Sequence, residues 1–145
     1  MFATPELAEE TNWIKSVLPE IQTIAIVGLS SNPHKDSHYV GRYLQKEGYK
    51  IIPVNPGADE ILGEKSYKDL SSLPEKPDVV NVFIRPDFVP AVVEQALETQ
   101  TPLIWLQLGT GEHPDLEKEV AEKGSRLIQK RCIKVDHQFL IRDNR

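Results

Sequence analysis

Thr23-Ile-Ala-Ile-Val-Gly-Leu-Ser30 is a short, unbroken apolar run that stops at a glycine. A strand with one wet face would alternate apolar and polar residues. A continuous run of this length marks a strand buried on both faces, the kind found in parallel sheets with helices on either side. Upstream, Pro5 to Leu18 reads as a helix with Thr4 as its N-cap and Pro5 at the first helical position. Leu7, Thr11, Ile14 and Leu18 recur there at helical spacing, and Pro19 stops the run. Downstream, a loop of Ser, Asn, Pro and His leads into a second helix, Ser37 to Glu47. It carries Val40, Tyr43 and Leu44 inward and Gly48 as its stop.

The same alternation then recurs. Tyr49 to Val54 is β-rich and ends at Asn55-Pro-Gly57. Asp78 to Ile84 is a third strand ending at Arg85-Pro86, and Asp87 is placed to cap a helix bearing Val89, Val92, Val93, Ala96 and Leu97. Pro102 to Leu108 is a fourth, closed by Gly109-Thr-Gly111. His113-Pro114 opens a helix with Leu116, Val120 and Ala121 on one face, which Gly124 ends. Ser125 to Lys130 makes the fifth strand and Ile133 to Ile141 a short closing helix. Between Asn55 and Asp78 the pattern is irregular, with one helical turn expected around Tyr67 to Leu70. Five strands separated by helices imply right-handed crossovers. The expected fold is α/β, a three-layer sandwich with a Rossmann-like five-stranded parallel sheet in the order 3-2-1-4-5. One domain over residues 1–145 is expected, an N-terminal helix (1–20) ahead of a core at 22–137.

Composition narrows the function classes. Seventeen Lys and Arg against 22 Asp and Glu leave a net charge of −5, whereas a nucleic-acid binder needs surplus cations to displace phosphate counterions. A single cysteine excludes an internal disulfide and fits a reducing compartment. The opening Met-Phe-Ala-Thr-Pro-Glu lacks the basic-then-apolar pattern of a secretory signal. The apolar runs are far shorter than the ~18 residues of a membrane helix. A cytoplasmic protein with no nucleic-acid or membrane partner is expected.

In open parallel sheets, ligands bind outside the carboxyl ends of the strands, where the strand order reverses. Those ends carry Gly28 to Ser31, Asn55 to Gly57, Arg85-Pro86, Gln107 to Gly111 and Arg131-Cys132. Gly28 lets the chain turn out of the first strand, and Ser30, Ser31 and Asn32 offer donors ahead of a helix N-terminus. Such a terminus suits a phosphate, and Lys35 adds a cation beside it. The dinucleotide fingerprint is absent, since Ser30 and Pro33 stand where it needs glycines. The ribose-binding acid is missing too, because Asn55 and Pro56 end the second strand. A phosphate-bearing ligand other than NAD fits better.

Taken in order, Gly28-Leu-Ser-Ser-Asn-Pro33 with Lys35, Pro53-Val-Asn-Pro56, Ile61-Leu-Gly63, Val82-Phe83, Trp105-Leu-Gln-Leu-Gly109 and Arg131-Cys132 resemble the small stand-alone bacterial CoA-binding proteins. These are similar to the N-terminal CoA-binding domain of the succinyl-CoA synthetase alpha subunit. The resemblance runs from about Gln22 to His137. It implies a five-stranded Rossmann-like fold that binds coenzyme A or a short acyl-CoA. Gly28, Leu29, Ser30 and Ser31 would then meet the phosphates, with Lys35 nearby. Val54, Asn55 and Pro56 would line the adenosine part, and Gln107 and Gly109 the pantetheine side. The chain departs from the pattern twice. Relatives often carry an Arg directly after the Phe of the third strand, where Ile84 stands and Arg85 follows one later. On a continuing strand that offset turns the Arg85 side chain to the opposite face. Relatives also tend to place an acid before Arg-Cys, where Lys130 stands.

No catalytic constellation accompanies these motifs. His34, His38, His113 and His137 have no further ligand at metal spacing. Ser30 lacks the following glycine of a nucleophile elbow. Trp105 and Tyr49 read as core residues, and Asp115 to Lys123 as a solvated helix face. Cys132 has two readings: a small packing residue, or a thiol activated by Arg131 and Lys130 that exchanges with the thiol of CoA. The sequence thus points to a CoA-binding protein without catalysis of its own. The alternatives are a detached component of a CoA-ligase-type enzyme that needs a partner chain, and a small NAD(P)-binding redox or sensor domain.

Overall fold

Thr4 Oγ1 accepts the Leu7 amide at 3.1 Å, which starts the first helix, α1 (Pro5–Val17), where the capping residues predict. The structure, a computed structural model, describes residues 4–145; Met1 to Ala3, part of the stretch read against a secretory signal, lie outside the described residues. After α1 come β1 (Thr23–Val27), α2 (Asp36–Lys46) and β2 (Lys50–Val54). A two-stranded hairpin, Glu60–Ile61 with Glu64–Lys65, and a 3-10 turn, Leu70–Ser72, fill the irregular stretch. Then follow β3 (Val79–Val82), α3 (Val89–Glu98), β4 (Leu103–Leu106), α4 (Pro114–Glu122) and β5 (Arg126–Ile128). A last helix, α5 (Ile133–Asp136), widens into a π turn over His137–Ile141. Asp87 does not cap α3: a 3-10 turn, Pro86–Phe88, intervenes, and Phe88 holds the cap position without a side-chain hydrogen bond. Among the described residues no helix is long and apolar enough to cross a membrane.

All five main strands are parallel, and helices cover both faces. Ile24, Ile26, Trp105 and Ile128 pack with Ile14 and Leu18, with Val40 and Leu44 of α2, and with Ile133 of α5. On the other face Ala25, Val80, Val82, Ile104 and Leu106 pack with Val89, Val93 and Ala96 of α3 and Val120 of α4. The unbroken apolar strands of the sequence are explained by this double burial. Asp78 ties the near ends of β1 and β3 together, its Oδ2 accepting the amides of Gln22 at 2.9 Å and Thr23 at 3.0 Å.

The sheet order is β2-β1-β3-β4-β5, which corrects the expected 3-2-1-4-5. Pro53 explains why. A proline has no amide to give to a ladder, so it belongs on an edge strand, and the expected order would have enclosed the second strand between two neighbours. In the observed order β2 is the edge, and only β1 pairs with it along its length. The free side meets one residue of the returning chain. Tyr67 donates to the Pro53 carbonyl at 3.0 Å and accepts from the Asn55 amide at 2.8 Å. From β2 the chain crosses β1 and enters β3 on its far side, with Val27 level with Val82. The order therefore reverses between β1 and β3, and there the carboxyl ends of the strands leave a crevice.

Candidate functional site

The crevice is built from the turn that follows β1. Gly28 has φ +85°, and a Cβ placed on it would lie 2.0 Å from the Phe83 carbonyl oxygen at the end of β3. Only glycine lets the two strand ends approach so closely while the chain turns. Its amide donates to the Val54 carbonyl at 2.9 Å. The next residues form a pinned loop. The Ser30 amide donates to Ser37 Oγ at 2.9 Å and the Asn32 amide to Ser30 Oγ at 3.0 Å. His38 Nδ1 donates to the Ser30 carbonyl at 2.8 Å. The loop therefore delivers Lys35 to the cap position of α2. The first-turn amides of a helix have no intrahelical acceptor and point outward.

This turn forms one wall of a cleft of about 520 Å³, joined by Phe83 to Pro86 after β3 and Leu108 to Thr110 after β4. Gly28, Ser30, Lys35, Arg85 and Gly109 of the candidate set meet there. Lys35 and Arg85 enter no ion pair among the described residues. Asp36 lines the same wall, so the three charged groups sum to one net positive charge beside a helix N-terminus. Arg85 reaches the cleft despite its one-residue offset. The strand ends at Val82, and Phe83, Ile84 and Arg85 are already loop, where alternation of faces no longer governs direction.

The remaining candidates lie elsewhere. Leu29 and Val54 are fully or almost fully buried in the core, and Ser31 is exposed on the loop. Asn55 braces the backbone: its Nδ2 donates to the Leu29 carbonyl at 3.0 Å, and its Oδ1 accepts the Gly57 amide at 2.8 Å. Asn55 and Pro56 end the edge strand, one strand removed from the crevice.

A second cavity of about 240 Å³ continues from the first. The two share Asp36, Phe83 and Leu108, and the second adds Gln107, Cys132 and Lys134 among its walls. Gln107 Oε1 accepts from Asn81 Nδ2 at 3.2 Å and from the Ile133 amide at 2.8 Å. Cys132 is half-buried, and the cations expected to activate it are engaged elsewhere. Arg131 holds Asp136 through two bonds of 2.8 and 3.0 Å and reaches back to Glu10 and Thr11 of α1. Those hydrogen bonds to Asp136 raise the guanidinium pKa further, whereas burial lifts that of Glu10 in spite of its partner. Lys130 pairs with Glu112 at 3.3 Å on the surface. Lys134, two residues on, lines the Cys132 cavity together with Asp36.

Trp105 is core, its Nε1 donating to the Arg131 carbonyl at 2.9 Å. Tyr49 donates to the Leu18 carbonyl at 2.7 Å, and burial pushes its phenol up to about 12. Among the described residues no group of three or more His, Cys, Asp or Glu side chains could hold a metal. Of the apolar part of the cleft, the sequence put Pro86 and Leu108 at ligand-side strand ends without giving them a role, and it missed Phe83 and Ile84. Leu108 stands 62% exposed at the rim.

A five-stranded parallel sheet covered by helices on both faces, with a cleft where the strand order reverses, defines a Rossmann-like α/β domain. Residues 22–138 match the CoA binding domain family, and the chain belongs to that family. It is 43% identical over 124 residues to the uncharacterized protein YneT of Bacillus subtilis, a match covering 86% of this chain and 91% of that protein. The solved structure of cell-free ID.343 from Thermus thermophilus superposes with a TM-score of 0.85 at 34% identity, over 90% of this chain and 98% of that one. The alpha subunit of the ADP-forming acetate–CoA ligase II of Pyrococcus furiosus is 28% identical over 120 residues. That match covers 76% of this chain but only 26% of the ligase subunit.

Proposed function

We propose that this protein binds coenzyme A or a short acyl-CoA in the cleft between the β1 and β3 ends, without catalysis of its own. One observation carries the reading: Ser30, Lys35, Arg85 and Gly109, drawn from three separate strand ends, line one cleft at the α2 N-terminus. Family membership supports the same ligand. In this reading the phosphates lie against the Gly28–Ser30 turn and the first-turn amides of α2, with Lys35 and Arg85 as mobile counter-charges. Charge-assisted bonds of this kind are the strong ones. The apolar strip of Phe83, Ile84, Pro86 and Leu108 then takes the ligand's pantetheine arm, and the reactive end points to the second cavity.

Isothermal titration of the purified chain with CoA, acetyl-CoA, NAD and NADP tests it. One-site binding of CoA at least about tenfold tighter than either dinucleotide, a gap of 1.4 kcal/mol, is expected. Tight NAD binding without CoA binding overturns the reading in favour of a redox or sensor domain.

The partial match to the acetate–CoA ligase subunit favours a second reading, in which the chain serves a partner that supplies acyl transfer. Acyl-CoA formation that appears only on adding a partner chain supports it. Turnover by the protein alone refutes the binder.

A further inference from the structure

Beside Cys132, in the second cavity, stands a polar group that the fold leaves unused. Gln107 is only 4% exposed, and its Oε1 is doubly occupied by Asn81 Nδ2 and the Ile133 amide. Its Nε2 donates to no acceptor among the described residues, and the residue lines the cavity. Among the described residues Asn81 Oδ1 is the buried side-chain atom left without a partner, whereas Gln107 Nε2 opens onto the cavity and is free to donate to what enters it. An amide carbonyl on an extended, uncharged arm would satisfy it. The two cavities share the Asp36, Phe83 and Leu108 walls, so an arm anchored by phosphates at Gly28 has a continuous path to this point.

We propose that Cys132 is a thiol-exchange site, at which the protein captures CoA covalently from its disulfide form. The inference rests on the CoA-binding reading above and extends it from reversible occupancy to redox-dependent retention. The Ile133 amide is held by Gln107 and the Cys132 carbonyl accepts from Asp136 at 3.0 Å, so the residue sits at a fixed place on the cavity wall. Lys134, whose Nζ donates to Gln138 Oε1 at 3.4 Å, and Asp36 both line this cavity, so its two charged side chains sum to zero and the exchange rests on the thiol's place in the cavity. In the step, the Cys132 Sγ thiolate attacks one sulfur of the CoA disulfide. The Sγ–S bond forms as the S–S bond breaks, and the second CoA leaves as a thiolate that takes up the proton lost by Cys132. One disulfide is consumed and one is made, so no further oxidant is needed. A free thiol reverses the reaction.

Intact-mass spectrometry of the full chain, incubated with CoA disulfide or with glutathione disulfide, tests the proposal alongside titration with reduced CoA. Anchoring by the nucleotide end should make CoA disulfide react about tenfold or more faster than glutathione disulfide, because the sulfur is presented at raised effective concentration. The adduct should be a single CoA moiety, absent in Cys132→Ser. Arg85→Ala should lower the rate with CoA disulfide by a larger factor than that with glutathione disulfide. Reversible CoA binding with no adduct overturns the exchange site and leaves the binding reading standing. Equal slow rates with both disulfides and no CoA binding overturn both.

Discussion

Replacing Gly28 by alanine should cost far more than replacing Gly48, although both glycines have positive φ, +85° and +100°. At Gly48 an added Cβ meets nothing within 4 Å. The penalty there is the backbone term alone, roughly 1–2 kcal/mol for an L-residue in left-handed space. At Gly28 the same methyl would lie 2.0 Å from the Phe83 oxygen and 3.0 Å from its carbonyl carbon. Ordinary carbon–oxygen contacts begin near 3.3 Å, so the Phe83 peptide must retreat by about 1.3 Å. The residue is anchored one peptide back, where the Phe83 amide donates to the Val27 carbonyl at 2.8 Å, and a retreat of its carbonyl would strain that bond.

Adding about 1 kcal/mol for that bond and about 1–2 kcal/mol for overpacking brings Gly28→Ala to roughly 3–5 kcal/mol. This is a large share of the 5–15 kcal/mol that holds a domain together. Urea unfolding followed by tryptophan fluorescence reads the difference. At a slope near 2 kcal/mol per molar, the midpoint should fall by about 2 M for Gly28→Ala and by under 1 M for Gly48→Ala. Equal losses at the two positions would refute the claim that the approach of Phe83, rather than the turn alone, makes Gly28 obligatory.

Three further outcomes are expected. Lys35→Ala and Arg85→Ala should each weaken CoA binding by about 1–2 kcal/mol, roughly 5–30-fold in Kd; titration at two salt concentrations should show a flatter salt dependence for both variants than for wild type, and unchanged affinities would remove the cleft from the binding reading. Gln107→Glu keeps acceptors for Asn81 and the Ile133 amide but loses the Nε2 donors and places a carboxylate where only 4% of the residue is exposed, so the melting temperature should fall and CoA affinity should fall about tenfold, the worth of one buried hydrogen bond; full CoA affinity in the folded variant would contradict the assignment. His137, bonded through Nδ1 to the Tyr43 hydroxyl at 2.9 Å, has its pKa lowered, chiefly by burial and further by Arg145 and Arg142 against the opposing pull of Glu47. The unfolded chain therefore binds this proton first, and the native state loses stability as pH falls below about 6.5. His137→Phe should show a shallower loss between pH 7 and 5 in denaturant titrations, and an identical slope would argue against a buried neutral imidazole.

The elements were legible because each carries its own local cause. Double burial makes the strands continuous apolar runs, and Thr4, Pro5, Pro114 and Gly124 mark helix ends by capping chemistry that works within a few residues. The strand order depends on pairing between distant segments, yet Pro53 did carry it, as a residue that a central strand does not accept. The floor of the cleft was legible in Gly28, and its cations in Lys35 and Arg85. The surroundings of Cys132 were not. Adjacency in sequence suggested Arg131 and Lys130 as its partners, but a loop carrying a positive φ of 63° at Lys130 sends them to Asp136 and Glu112. Lys134 arrives at the cavity through the helix. Side-chain direction in loops is set by long-range contacts, which spacing alone does not encode.

One departure from the apolar rule ties the sheet to the site. Asn81 stands in the middle of β3 with no exposed surface, where the pattern of neighbouring strands calls for valine or isoleucine. Its Nδ2 donates to Gln107 Oε1 at 3.2 Å and, more weakly, toward the Trp105 carbonyl at 3.4 Å, while its Oδ1 has no partner. A buried acceptor left empty costs about 1–3 kcal/mol, so an aliphatic side chain would make the more stable core. What Asn81 achieves is orientation. Two donors, Asn81 Nδ2 from below and the Ile133 amide from the start of α5, converge on one oxygen of the Gln107 carboxamide and leave its nitrogen for the cavity. A carboxamide without them would be free to turn over. Proteins break local rules of this kind chiefly where a functional group must be held. Here the break is made in the sheet, under the second cavity, two residues ahead of the Phe83 that both cavities share.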